Sequence, residues 1–171
     1  MIYPIVKYGQ PVLEAKAAAI TEFDTPDLHK LVEDMFESMY AARGVGLAAP
    51  QIGVGRRIAV IDTSAGERPE EKLLLVNPQI IRVEGNQVGE EGCLSVPGFR
   101  EQVRRGHRVT VRAQDAKGEW FEKTGEDLLA RAFQHETDHL NGVLYINHVS
   151  VLKRDLIRRK IRKLAKAGEW G

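Results

Sequence analysis

Four short β-branched runs, at residues 58–61, 73–76, 80–83 and 109–111, follow one another with no helical pattern between them. Clusters of Gly, Pro, Asp and Asn separate the runs, as expected of strands joined by turns. Parallel neighbours need a crossover of a dozen or more residues, usually a helix, so this spacing predicts antiparallel sheets. The expected class is therefore α+β rather than a doubly wound parallel fold. The polar stretch at 62–72 reads as a surface loop. With 171 residues, no linker and no repeat at a 20–50 residue period, the chain reads as one domain over 1–171.

Three helices are expected around those sheets. In the first, over 25–42, Leu28, Leu31, Val32, Met35, Phe36, Met39 and Tyr40 form an apolar stripe at helical spacing. Thr25 and Pro26 supply a cap and a first-turn proline, and Gly44 reads as the stop. The second starts near Thr124, with Asp127 in capping-box spacing, and ends at Asn141-Gly142. Its stripe of Leu128, Ala132, His135 and His139 reads as an inward-facing line, which makes this the central helix. The third, over 151–167, carries Leu156, Ile157, Ile161 and Leu164 on one side and mostly Lys and Arg elsewhere.

Composition narrows the function classes. Lys plus Arg number 25 against 24 Asp plus Glu, a formal +1, so neither DNA nor a membrane is expected as a partner. A single cysteine excludes both an internal disulfide and a four-cysteine zinc site. No signal-peptide pattern and no apolar run of about 18 residues occur, so a reducing, cytoplasmic location is expected.

The central helix contains His135-Glu136-Thr137-Asp138-His139, an HExxH motif. Imidazoles four residues apart project from one helical face and can grip one ion, with Glu136 placed to take a proton from water. Two core histidines satisfied by hydrogen bonds are the alternative. Downstream third ligands fail: Tyr145 stands where one protease class has a histidine, and the only later glutamate, Glu169, lies near the chain end. Upstream, Cys93 in a turn-rich segment completes a three-ligand site, or is simply a small buried residue. The run of small residues at 44–51 permits close backbone approach, and Gln51 closes it with a neutral donor suited to an oxyanion.

Taken together, GVGLAAPQ at 44–51, EGCLS at 91–95 and QHETDHLNG at 134–142 closely resemble the three signature motifs of the peptide deformylases, in order and in spacing. The resemblance covers nearly the whole chain. It implies a hydrolase that removes the formyl group from N-formylmethionyl nascent peptides and releases formate. It further implies one divalent ion on Cys93, His135 and His139, natively Fe²⁺, with Ni²⁺, Co²⁺ or Zn²⁺ as substitutes. Glu136 would move the proton, while the Gln51 side chain and the Leu94 backbone N–H would donate to the oxyanion. Gly46 and its small neighbours would exclude acyl groups larger than formyl. Val45, Gly92, Leu128 and Ala132 are the expected methionine-pocket residues, and Arg100 matches a position near the peptide. Arg131 stands where some members have an aliphatic residue. Glu91 is expected to pair with an arginine such as Arg105 behind Cys93.

Two rival readings are a general HExxH metallopeptidase and a non-catalytic family member that only binds chain ends or ribosomes. His29, His107 and His148 are expected to be structural or solvent-facing. The formal charge is itself a cancellation: residues 153–166 hold eight bases and one acid, a net +7, against 17 bases and 23 acids, a net −6, elsewhere. For an enzyme of nascent chains, that basic helix is a candidate contact for ribosomal RNA.

Overall fold

The computed structural model describes residues 1–171. Its strands are β1 (Gly46–Ala48), β2 (Ile58–Ile61), β3 (Leu73–Glu84), β4 (Gln87–Gly92), β5 (Arg100–Arg105), β6 (Arg108–Gln114) and β7 (Trp120–Glu126). The helices are α1 (Pro26–Ala41), α2 (Asp127–Leu140) and α3 (Val151–Lys166). A five-stranded sheet runs β1-β2-β3-β6-β7 and a separate two-stranded sheet pairs β4 with β5, antiparallel throughout. The expected α+β class, with sheets around a central helix, is what forms. No helix is long and apolar enough to cross a membrane.

Strand β2 shows how the core is divided. All four residues are buried because both faces of the sheet are covered. Ile58 and Val60 point with Val76 toward Met35, Phe36 and Met39 of α1. Ala59 and Ile61 point the other way, with Leu75, Val109 and Val111, toward Ala130, Phe133 and Leu140 of α2. Successive strand residues serve opposite faces, so an unbroken apolar run is required here. A third cluster joins Val96 and Val103 to Leu144, Tyr145 and Ile146, and to Ile157 and Ile161 of α3.

Local differences from the sequence reading have identifiable causes. Runs 73–76 and 80–83 are one 12-residue strand, because Asn77-Pro78 forms a bulge with register shifts rather than a turn. Asn77 takes φ 50°, accepts from Ile20 N and donates to Ile20 O, which holds the bulge in place. Thr124 lies in β7, where its hydroxyl meets that of Thr110, so α2 starts three residues later at Asp127 and has no capping box. In α1, Thr25 Oγ1 accepts from Leu28 N as expected. The left-handed residue at its end, however, is Arg43 (φ 59°) and not Gly44. Gly44 N bonds to Met39 O and Arg43 N to Tyr40 O, both at 3.0 Å, which is a Schellman closure. Gly44 instead lets Leu94 pack close, since a Cβ there would lie 2.8 Å from Leu94 Cδ1. On α3, Ile157 and Ile161 are buried while Leu156 is exposed. Within the 62–72 loop, Asp62 is buried and accepts from Ser64 N.

An N-terminal strap binds the motif segments together. Val6 N donates to Gln51 O (2.7 Å), Tyr8 N to Ser95 O (2.8 Å) and Ala17 N to Leu140 O (2.9 Å). Gly142, with φ 76°, ends α2 directly against Glu14, whose carbonyl would lie 2.8 Å from any Cβ.

Candidate metal centre

Helix α2 presents His135 and His139 one turn apart, and the turn after β4 presents Cys93 to the same point. The three ligand atoms lie within 4.8 Å of one another. His139 Nε2 stands 3.3 Å from Cys93 Sγ and 3.2 Å from His135 Nε2. Tetrahedral coordination at ordinary Zn–N and Zn–S lengths puts such donors about 3.3–3.6 Å apart, so the spacing fits a divalent ion. One polar atom of the group stays unsatisfied, since His139 Nδ1 is buried and has no hydrogen-bond partner. His135 Nδ1 is engaged by Glu91 Oε1 at 2.6 Å, which leaves Nε2 as the bare nitrogen when the ring is neutral. Burial and the neighbouring His135 hold His139 well below the ordinary imidazole range, keeping its ring neutral and fit to ligate.

Glu91 organises this cluster from behind. Its carboxylate accepts from Arg105 Nε (3.0 Å) and Nη2 (2.7 Å), and from Arg131 Nη1 (2.6 Å), as well as contacting His135. Burial by itself would raise its pKa, but the bonds from His135 and Arg105 hold it well below the usual carboxylate range. Arg105 Nη1 continues to Asp138 Oδ2 at 2.7 Å, and His148 Nε2 meets the same oxygen at 2.8 Å. The expected Glu91–Arg105 pair is thus present, within a larger network. Arg131 turns its guanidinium to Glu91 and to Val103 O. A Cβ at Gly89 would stand only 3.0 Å from its Nη2. His148 has the partner just described, while His29 and His107 pair with Asp24 and Asp127 at half-exposed sites.

Glu136 is buried beside strand β1, and its Oε1 has no hydrogen-bond partner. Burial pushes its carboxyl up to about 7, against the opposing pull of His135. A Cβ on Gly46 would lie 2.5 Å from Glu136 Oε2, so the missing side chain is what gives that carboxylate its room. Gln51 is buried and fixed at both ends of its amide. Oε1 accepts from Ala48 N (3.0 Å), while Nε2 donates to Ser95 Oγ (3.2 Å) and lies 3.5 Å from Cys93 Sγ. The Leu94 N–H donates to no acceptor within the chain.

These groups open onto a cleft of about 530 Å³. Val45, Gly46, Gln51, Gly92, Cys93, Leu94, Arg100, Leu128, Ala132, His135 and Glu136 all line it, while His139 is sealed behind them. The sequence reading put Leu128 on an inward line, but it is 48% exposed and stands at the cleft's lip. That stripe turns outward because α2's first turn runs past the edge of the core. Arg100 at the rim is tied to Glu90. Sequence reasoning missed Ser95, which steadies Gln51, although it stands inside the EGCLS motif. It also missed Arg43 and Phe99 on the cleft wall, for which no sequence pattern gives a signal.

A family model described as polypeptide deformylase matches residues 2–155. A peptide deformylase of Acidobacterium capsulatum is 61% identical over 170 residues, which is 99% of each chain. Another, of Heliobacterium modesticaldum, is 53% identical over 148 residues, 86% of this chain and 94% of its own. Among solved structures, a peptide deformylase from Legionella pneumophila superposes with a TM-score of 0.90 at 46% identity, covering 98% of both chains. One from Plasmodium falciparum gives 0.88 at 34% identity, covering 96% of both. Sequence, fold and the matched span agree that this chain belongs to the polypeptide deformylase family.

Proposed function

We infer that the Cys93–His135–His139 cluster and the buried carboxylate beside it carry a deformylase reaction: hydrolysis of the formamide on an N-formylmethionyl peptide, yielding formate and a free amine. The observation that carries this reading is the convergence of a cysteine sulfur and two imidazoles on one point of a cleft that also holds Glu136 and the Gln51 amide. A divalent ion held there supplies Lewis-acid activation of the formyl carbonyl and of the attacking water. We assign Fe²⁺ as the native ion by family analogy, with Ni²⁺, Co²⁺ or Zn²⁺ as substitutes, since softness and geometry of the donors suit all four.

Glu136 accepts a proton as water attacks the formyl carbon, then passes it to the leaving amine nitrogen. Its burial suits both halves of the task, because desolvation pushes the carboxyl up and readies it to hold a proton. Gln51 Nε2 and the Leu94 N–H donate to the carbonyl oxygen as it gains charge. Gln51 arrives oriented, because Ala48 N holds its Oε1. Gly46, packed against Glu136 and lining the cleft with small neighbours, is the residue we assign to the selection of formyl over larger acyl groups. Val45, Gly92, Leu128 and Ala132 form the wall offered to the methionine side chain, and Arg100 lies at the peptide's exit.

The test compares a formyl-Met tripeptide with its N-acetyl analogue and an unblocked peptide. Formate release from the first alone is expected; equal cleavage of all three, or internal cuts, would replace this reading with a general metallopeptidase. Glu136→Ala should retain metal and lose about 10²–10⁴-fold in turnover. Near wild-type turnover would remove its assigned role.

A substrate on nascent chains supports a cytoplasmic location beside ribosomes. The exposed bases of α3 lie opposite buried Ile157 and Ile161, a face suited to RNA phosphates. Reversing Arg159, Lys160 and Lys163 to Glu should abolish low-salt co-sedimentation with ribosomes; unchanged co-sedimentation would refute the contact.

A further inference from the structure

Charges along the cleft are almost all spoken for. Arg100 pairs with Glu90, and Arg131 and Arg105 share Glu91. Arg43 lines the same cleft, is exposed, and enters none of these pairs. Its place is set by the backbone rather than by a side-chain partner. It is the left-handed residue of the Schellman closure of α1, at φ 59°, a conformation that helix ends normally give to Gly or Asn. The closure bonds of Arg43 N and Gly44 N anchor it, and Gly44 then packs without a side chain against Leu94, next to Cys93. An arginine kept where glycine is easier, on the wall of the reaction cleft, is an outlier that points to function.

Resting on the deformylase reading, we propose that Arg43 is a specificity-determining residue, favouring N-formylmethionyl peptides with an acidic side chain soon after the methionine. The formylated terminus is neutral and methionine is uncharged, so the residues that follow set the charge entering the cleft. The free guanidinium at the rim attracts a carboxylate and repels an ammonium there. Solvent screens such a contact, so discrimination is modest and salt-dependent.

The experiment measures formate release from formyl-Met peptides carrying Asp or Lys at the second or the third position, with Ala elsewhere. The readout is the Asp-to-Lys ratio of kcat/KM within each variant, which cancels differences in the amount of active enzyme. A ratio of about 3–10 is expected at one of the positions at low salt, shrinking as salt rises, on the scale of exposed ion pairs. Arg43→Lys should keep the preference, Arg43→Gln should bring it near 1, and Arg43→Glu should reverse it. A wild-type ratio near 1 at both positions, or the same ratio in the Gln and Lys variants, overturns the proposal and leaves the deformylase reading standing. Formate from none of the peptides would overturn that reading, and this proposal with it.

Discussion

Replacing Gly46 with alanine isolates what the tight contact with Glu136 contributes. The glycine does not sit at positive φ, so its backbone accepts alanine and the whole effect comes from the added methyl. That carbon would lie 2.5 Å from Glu136 Oε2, 3.0 Å from Cδ and 3.2 Å from Cγ, whereas ordinary contact begins at 3.4 Å. The carboxylate must therefore retreat by about 0.9 Å, in a site where misplacement near 1 Å costs about 10²-fold in rate. Gly46 cannot yield instead, because β1 is paired with Ile61 of β2. Overpacking a filled site costs about 1–3 kcal/mol, or about 2–12 °C in Tm for a chain of this size. Steady-state formate release, bound metal by elemental analysis and a thermal melt give the three readouts. A fall in kcat near 10²-fold, with metal retained and Tm only modestly lowered, is the expected pattern. Gly55→Ala is the control, since its Cβ would meet nothing closer than Val12 Cγ2 at 4.0 Å. A Gly46→Ala enzyme with metal bound and kcat within threefold of wild type would refute the steric account.

Two further substitutions test the shell around the cluster. Glu91→Gln keeps the shape but leaves Arg105 and Arg131, with side chains only 4% and 9% exposed, short of countercharge. Stability should fall by about 3–5 kcal/mol and metal affinity by about 10–100-fold, read by thermal melt and competition with a chelator; an unchanged melt would refute this account. Gln51→Ala should lower kcat by about 10²–10³-fold, or about 2.7–4 kcal/mol, with metal content unchanged. A loss confined to KM would show that the amide binds substrate without acting on the developing charge.

What was legible in the sequence was whatever had an unusual residue type in a regular setting. Imidazoles on an apolar helical stripe, a lone thiol beside a turn, and two glycines and two alanines closed by a glutamine all stand out from the composition around them. The β4–β5 hairpin was illegible for the opposite reason. QVGEEG and REQVRR hold one β-branched residue each, and their buried positions include Glu91 and Arg105. Strand propensity fails there because the inward places are given to the charged network behind the metal cluster. Asn77-Pro78 reads as a turn in the sequence, and the partners that make it a bulge, Ile20, Arg57 and Gln114, are all distant along the chain. The end of α1 misled similarly: Gly44 is the better left-handed residue by propensity, yet Leu94 claims its missing side chain and Arg43 takes the strained position.

The N-terminal strap fixes the order in which this enzyme becomes active during its own synthesis. Val6, Tyr8 and Ala17 leave the ribosome first, but their backbone partners at Gln51, Ser95 and Leu140 follow only as the rest of the chain is made. Tyr8 waits longer still, since Arg158 Nε donates to its hydroxyl (3.0 Å) and Trp170 Nε1 to its carbonyl (2.8 Å). Contacts of such long sequence separation close late and slowly. A half-made chain therefore holds the strap, α1 and its glycine loop without Ser95, the helix of the two histidines or α3. A ribosome-stalled fragment ending before residue 90 should show no protection of the Tyr8 and Ala17 amides from hydrogen exchange, since Ser95 and Leu140 are not yet made.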